Sequence, residues 1–429
     1  MGTGSVTEGH RGVAVRPAAE AADVLRPSRG GIGARVAQWL WARAGMGFGV
    51  LRAVRPIFRF RRTYVVTRYD DVREVFLADR DFPAPYRAKL DVIMGNAPFF
   101  LGMGDTPEYR RDTATMRLAV RREDVESRLA AKTLARAEAI VAGAGGRLEV
   151  VDTLARALTF EVLGDYFGVP DPPGADLRVW ATRLFEFQFA DSSNDPSLRK
   201  EVDAIAPALR LHIDNLIASR RRNREVKDDV LGRCLLLQEK EAPDLTDVQI
   251  RSALIGFIVG GLPQPPMVAP HALEQLLRRP RELAGAQRAA RTNDDSLLAR
   301  YVFEALRYDP LAPGLQRTVA HDHRIAEGTR RSVTVPAGAS MLVAFSSAMM
   351  DKRRIPSPRE FRTDRLAHEY LHFGHGLHTC FGIHINHSLI PLMLKPLLRR
   401  DGLRRVSGSL GRLRKRGAFA DRLWVQYQP

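Results

Sequence analysis

Apolar residues recur every three or four positions from about Glu123 to Leu311, broken only where Pro and Gly gather at 169–174 (VPDPPG), 194–196, 242–244 and 278–280. That spacing predicts a helical array through the middle of the chain. Upstream, Thr63–Arg68 (TYVVTR) is β-branched and aromatic and predicts a strand, after which Val72, Val75 and Phe76 follow at helical spacing. Beyond Arg317 the pattern shortens to strands at 332–336 and 340–345, an irregular Pro- and Arg-rich stretch at 351–366, and one more apolar helix at 383–398. With no internal repeat and no linker, the economical expectation is a single domain, mainly α with small β-sheets at its edges. Residues 1–30 lack periodicity and predict a mobile N-terminal tail. Residues 31–62 predict a basic, apolar helical region ahead of a domain covering 63–429. Within it, 36–60 is interrupted by Arg43, Arg52 and Arg55, so it does not span a membrane. It reads as a helix packed on the domain, with peripheral membrane contact as a basic amphipathic helix as the alternative.

Composition narrows the classes. Hydrophobic residues at 45% and charged residues at 27% exclude a mainly disordered chain. A net charge of +17 would suit nucleic acid, an anionic membrane or an acidic protein. The basic residues are scattered along the chain with no reading element, so no nucleic-acid partner is expected. The two cysteines, Cys234 and Cys380, cannot form a disulfide framework and fit a reducing compartment. The first residues show no basic, apolar, small-residue order, so the expectation is a cytoplasmic protein without a secretory signal.

Candidate chemistry gathers near the C-terminus. In Phe373-Gly374-His375-Gly376-Leu377-His378-Thr379-Cys380-Phe381-Gly382 a thiol stands directly before an apolar helix. Unpaired backbone N–H groups and the positive end of the helix dipole favour its thiolate, the form that ligates metal. Gly374 and Gly376 permit the backbone angles of a tight loop, Gly382 permits close approach to a flat macrocycle, and Phe373 can wall the sulfur. A buried structural Cys is one alternative. Zinc is another, because His372, His375, His378, His384 and His387 crowd the same stretch, but the paired spacing of a closed zinc site is missing.

This loop resembles the haem-binding signature of the cytochrome P450 family, F-x-x-G-x-H-x-C-x-G, at every fixed position. Upstream, Glu304 and Arg307 resemble the family's E-x-x-R, and Phe361 with Arg365 resembles its F-x-x-x-R. The resemblance covers about 60–429. It implies a helical prism with a small β region, haem b with Cys380 as the axial thiolate and sole metal ligand, and a buried structural triad of Glu304, Arg307 and Arg365. It also implies propionate contacts from His378 and Arg317. The activity implied is oxidation, typically oxygen insertion, of a hydrophobic or amphipathic small molecule in specialised metabolism, with ferredoxin and ferredoxin reductase supplying electrons.

Several positions depart from the family. The long helix over the haem should be Asp247–Arg279, and Gly260-Gly261-Leu262-Pro263-Gln264 falls where an acid–alcohol pair usually helps deliver protons to dioxygen. Pro263 has no N–H and cannot ionise, Gln264 is a poor proton source, and Pro265, Pro266 and Pro270 interrupt the helix further. Three readings stay open: a monooxygenase protonated through water or substrate, a peroxide-dependent or hydroperoxide-rearranging enzyme needing no redox partner, and a catalytically silent haem-binding domain. Tyr109 and Thr113 replace the usual His and Arg that serve a propionate, leaving Arg110, Arg111 and Arg117 as candidates to compensate. Asn386, His387 and Leu389 likewise replace residues associated with partner docking. By family position, residues 85–104, Leu311–Leu315, Ile258, Val259 and Leu262 should line an apolar pocket, with Arg87 or Lys89 placed to hold a substrate carboxylate.

Overall fold

The computed structural model describes residues 44–191, 193–416 and 419–429, so the expected tail at 1–30 lies outside the described residues. Helix α1 (Ala44–Val54) leads into a hairpin of β1 (Ile57–Phe60) and β2 (Thr63–Val66). Helices α2 (Tyr69–Leu77), α3 (Arg87–Met94) and α4 (Pro107–Ala119) precede the central array. That array comprises α5 (Ala130–Gly143), α6 (Ala157–Phe167), α7 (Leu177–Phe185), α8 (Pro196–Arg222), α9 (Val230–Lys240), α10 (Asp247–Gly261), α11 (Gln264–Leu277), α12 (Pro280–Arg291) and α13 (Asp295–Tyr308). A short strand, β3 (Arg147–Glu149), divides α5 from α6. There follow β4 (Leu315–Thr318), β5 (His323–Ile325), β6 (Val333–Val335), β7 (Ser340–Val343), α14 (Phe345–Ala348) and α15 (Ile383–Arg399). The chain closes on β8 (Arg404–Arg405), β9 (Arg414–Arg416), β10 (Phe419–Arg422) and β11 (Trp424–Gln426).

Polar caps set many of the helix starts. Thr106 accepts from the Tyr109 N–H with Pro107 in the first turn, and Asp294 accepts from the Leu297 N–H. Thr246 and Gln249 cap α10 reciprocally. Most of the array buries one continuous apolar core, in which α15 packs against α5, α12 and α13. A second core lies beneath the sheet ordered β1-β2-β7-β4. Parallel pairing of Thr63 with Ser340 joins the N-terminal hairpin to the last third of the chain, which explains why no separable N-terminal unit forms.

The structure amends four expectations. Residues 31–62 are not a single helical region: where described, they form α1 and then β1, whose Phe60 pairs with Thr63. Arg52 ties α1 to the domain by donating to the Ser347 carbonyl at 2.6 Å and to its Oγ at 2.7 Å. The array is interrupted by β3, which pairs with β11, and the strands β8–β11 follow the last helix. Finally, the long helix ends at Leu277 rather than Arg279 and is divided at Leu262–Pro263. Proline explains the division, because each of Pro263, Pro265 and Pro266 withholds the N–H that a carbonyl one turn earlier would accept.

Candidate functional site

The Cys loop is pinned by its own backbone. The Cys380 N–H donates to the Phe373 carbonyl at 2.9 Å, and the Ile383 N–H donates to the Cys380 carbonyl at 3.2 Å as α15 begins. Gly374 and Gly376 take the left-handed angles expected of them, with φ of 73° and 77°. At Gly376 a Cβ would also lie 2.6 Å from the Phe76 carbonyl oxygen, so the loop approaches α2 closer than any side chain allows. Burial pushes the free Cys380 thiol upward, and the Gly382 N–H and the Arg117 guanidinium oppose it. The helix-start effect is therefore present but outweighed until a cation takes the sulfur, since metal binding and thiol deprotonation are coupled.

Four of the five histidines are engaged with neighbours, two of them with Phe303. His372 Nε2 lies 3.0 Å from the Phe303 carbonyl, Arg73 Nε donates to His375 Nε2 at 3.2 Å, and His387 packs on the Phe303 ring at 4.4 Å. His378 Nε2 approaches Asp79 Oδ1 at 3.3 Å, and burial lowers its pKa against the pull of that carboxylate. Arg317 faces inward from β4 at 4% exposure with no hydrogen-bond partner at Nε. Burial lowers its pKa, opposed by the nearby Tyr86 and Asp79.

The triad assembles and is larger than three residues. Arg307 donates to Glu304 through Nε at 2.9 Å and Nη2 at 2.7 Å, both side chains fully buried. Arg365 Nε donates to both Glu304 oxygens at 3.1 Å and its Nη1 to Glu369 Oε2 at 2.9 Å. Tyr370 donates its hydroxyl proton to Glu304 Oε2 at 3.1 Å. Remaining guanidinium protons go to the carbonyls of Met349, Pro356, Ser357, Pro358 and Glu360, which fixes the stretch leading into the Cys loop. Glu369 and Tyr370 were missed from the sequence, although Glu369 stands four residues after Arg365.

Helix α4 decides among its arginines. Arg110 pairs with Asp105 and Arg111 with Asp112, both at the exposed surface, whereas Arg117 Nη1 donates to the Phe381 carbonyl at 2.7 Å. Tyr109 donates to the Leu377 carbonyl at 2.6 Å, and the Thr113 hydroxyl is spent on the Tyr109 carbonyl of its own helix. On the opposite side, Ile258, Val259 and Leu262 are buried along the divided long helix, Pro263 is buried at the break and Gln264 is half-buried. Gly260 and Gly261 end α10, and a Cβ at Gly261 would rest 3.8 Å from the Phe167 ring. Gly256, one turn before Gly260, is the more demanding position: a Cβ there would fall 2.1 Å from the Phe99 ring. Of the cationic candidates of α3, Lys89 pairs with Asp191 at 3.1 Å and Arg87 pairs with Asp91 at 2.7 Å at the exposed surface.

A sequence profile described as Cytochrome P450 matches residues 176–401, more than half of the chain. The chain belongs to the cytochrome P450 family. It is 27% identical over 378 residues to mycinamicin IV hydroxylase/epoxidase of Micromonospora griseorubida, covering 82% of this chain and 87% of that protein. It is 26% identical over 361 residues to the cytochrome P450 monooxygenase PikC of Streptomyces venezuelae, covering 82% of each. The fold matches P450BioI, solved in complex with an acyl carrier protein carrying hexadec-9Z-enoic acid, with a TM-score of 0.78 at 21% identity over 91% of this chain and all of that one. This cytochrome P450 is therefore a haem-thiolate oxidoreductase of the monooxygenase type, and the family's cofactor is haem b on an axial Cys thiolate. The residues present fit that group. Arg317 is a buried cation whose Nε has no partner, suited to a propionate carboxylate, and a thiol raised by burial becomes a stable thiolate on a metal ion.

Proposed function

We propose that Cys380 is the iron ligand and that the enzyme inserts one oxygen atom into a hydrophobic or amphipathic small molecule of specialised metabolism. The observation that carries this reading is the loop itself, which holds Cys380 at the start of α15, after two glycines in the left-handed conformation and between two backbone hydrogen bonds. Cys234, the other cysteine, is a fully buried core residue whose thiol is pushed up to about 12 by burial, and it faces no cationic partner. Phe373, Gly374, Gly376 and Gly382 shape the loop, His378 and Arg317 hold the propionates, and Glu304, Arg307 and Arg365 brace the approach. The relatives' names, a hydroxylase/epoxidase and a monooxygenase, support oxygen insertion. Ile258, Val259 and Leu262 support an apolar substrate, whose binding is driven by burial with few polar contacts.

Haem supplies the one-electron and dioxygen chemistry that side chains lack. With dioxygen the balance is R–H + O2 + 2 e− + 2 H+ → R–OH + H2O, so protons must reach the distal side. Gly260, Gly261, Pro263 and Gln264 have none to give readily; Gln264 can orient a water or substrate hydroxyl by hydrogen bonding. Electrons would come from ferredoxin and its reductase. A cavity of about 510 Å³ beside the Cys loop is lined by Arg117, Arg121 and Arg122 against Glu123 and Glu241, a net basic lining that supports an acidic partner there.

The same distal stretch favours a second reading, in which a hydroperoxide supplies oxygen and reducing equivalents together: R–H + R′OOH → R–OH + R′OH. Epoxidation of styrene, measured with hydrogen peroxide alone and with NADPH, ferredoxin reductase and ferredoxin, separates the readings. We expect product with the electron chain. Product with peroxide alone, and none with the chain, would favour the hydroperoxide reading. Haem reduction without product in either assay would favour a silent haem-binding domain.

A further inference from the structure

Two residues eight apart on α4 grip the Cys loop on either side of Cys380. Tyr109 donates to the carbonyl of Leu377, three residues before the thiol, and Arg117 donates to the carbonyl of Phe381, immediately after it. The spacing places both on one helix face. Each is a long-range contact, spanning 268 and 264 residues, so neither follows from local chain geometry. Arg117 is anchored twice, because its guanidinium also lies over the Phe381 ring at 3.7 Å from the centroid. That ring in turn stacks on Phe257 of α10 at 5.3 Å and packs on Phe100 at 5.3 Å. The cation cannot swing away without losing the carbonyl and the ring together.

We propose that Arg117 is a positioning residue that tunes the iron from the thiolate side. With Tyr109 it forms a two-point clamp that replaces the usual propionate-binding pair of this helix with a grip on the ligand loop. Among the described residues its guanidinium makes no ion pair with a carboxylate, and the charges that act on it are those of Cys380 and Tyr109. A fixed positive charge held on the carbonyl of the residue next to an anionic sulfur withdraws electron density from it, which favours the ferrous state over the ferric.

This inference rests on Cys380 being the iron ligand, so the wild-type ferrous–carbon monoxide spectrum serves as a separate control: without the long-wavelength thiolate band, the ligand assignment itself fails. Given that band, the ferric/ferrous midpoint potential of haem-loaded Arg117→Gln and Arg117→Lys is compared. Gln keeps a donor but no charge, whereas Lys keeps the charge. The expected result is an equilibrium displaced on the order of tenfold toward ferric in Arg117→Gln relative to Arg117→Lys, or about 59 mV for one electron. Equal potentials in the two variants overturn the proposal. Should Arg117→Gln fail to retain haem, Arg117→His makes the same comparison within one protein between about pH 5.5 and 8.5. Its potential must fall more steeply with rising pH than that of the wild type, and parallel profiles overturn the proposal.

Discussion

Glu304 accepts from two guanidinium groups, one phenol and the Arg362 N–H, and it is fully buried. A buried carboxylate is tolerable only when its lone pairs are all matched, and here they are. Replacement by Gln keeps the volume but removes the charge, leaving Arg307 and Arg365 desolvated beside each other with only Glu369 as counter-ion. Breaking such a pair costs about 3–5 kcal/mol, because the surviving charges remain buried. Glu304→Gln should therefore lower the free energy of unfolding in denaturant by about that amount and shed haem, while Glu369→Gln, at the rim of the cluster, should cost less. Equal stability of Glu304→Gln and wild type would show that the network does not brace the loop. Arg117 is the other residue whose neighbours define its role: among the three candidate arginines of α4 it is the one that bonds the Cys loop, and the surface pairs of Arg110 and Arg111 contribute little by comparison.

At the level of elements, what could be read in the sequence was whatever backbone geometry forces. Gly374 and Gly376 stand where positive φ is required, and Pro263, Pro265 and Pro266 stand where α10 and α11 part. Glu304 and Arg307 were legible as a pair three residues apart on one helix, and Arg365 only through the family resemblance. The C-terminal strands were not. Arg404–Arg405 and Arg414–Arg416 are wholly basic and show no apolar alternation, and they become strands only because β11 and β10 lie beside them. β3 is hidden for the same reason, since Arg147–Glu149 depends on β11 for its partner. The destination of Arg117 was equally invisible: three arginines on one helix look alike until tertiary contacts separate them. The partner of Lys89 was invisible too, because Asp191 stands 102 residues away.

Across the whole molecule, titration of buried groups shapes acid stability. His271, fully buried between α11, Asp309 and Lys415, has its pKa lowered to about 4 by burial, with Lys415 adding to the effect and Asp309 opposing it. The unfolded chain would bind that proton near pH 6.5, so between about pH 6.5 and 4 unfolding takes up a proton and stability falls as pH falls. The contribution is complete above that window. Urea unfolding at pH 5 and pH 7 should show a smaller difference for His271→Gln than for wild type; an unchanged difference would remove His271 from the account. The assembly as a whole nonetheless depends on one bond from sulfur to iron. The most direct test is the absorbance of the reduced, carbon monoxide-treated protein beside its Cys380→Ser variant. The long-wavelength Soret band of a thiolate-ligated iron should appear in the wild type and vanish in the variant. A wild-type band at the shorter wavelength of histidine ligation, or a variant that keeps the thiolate band, would contradict the assignment.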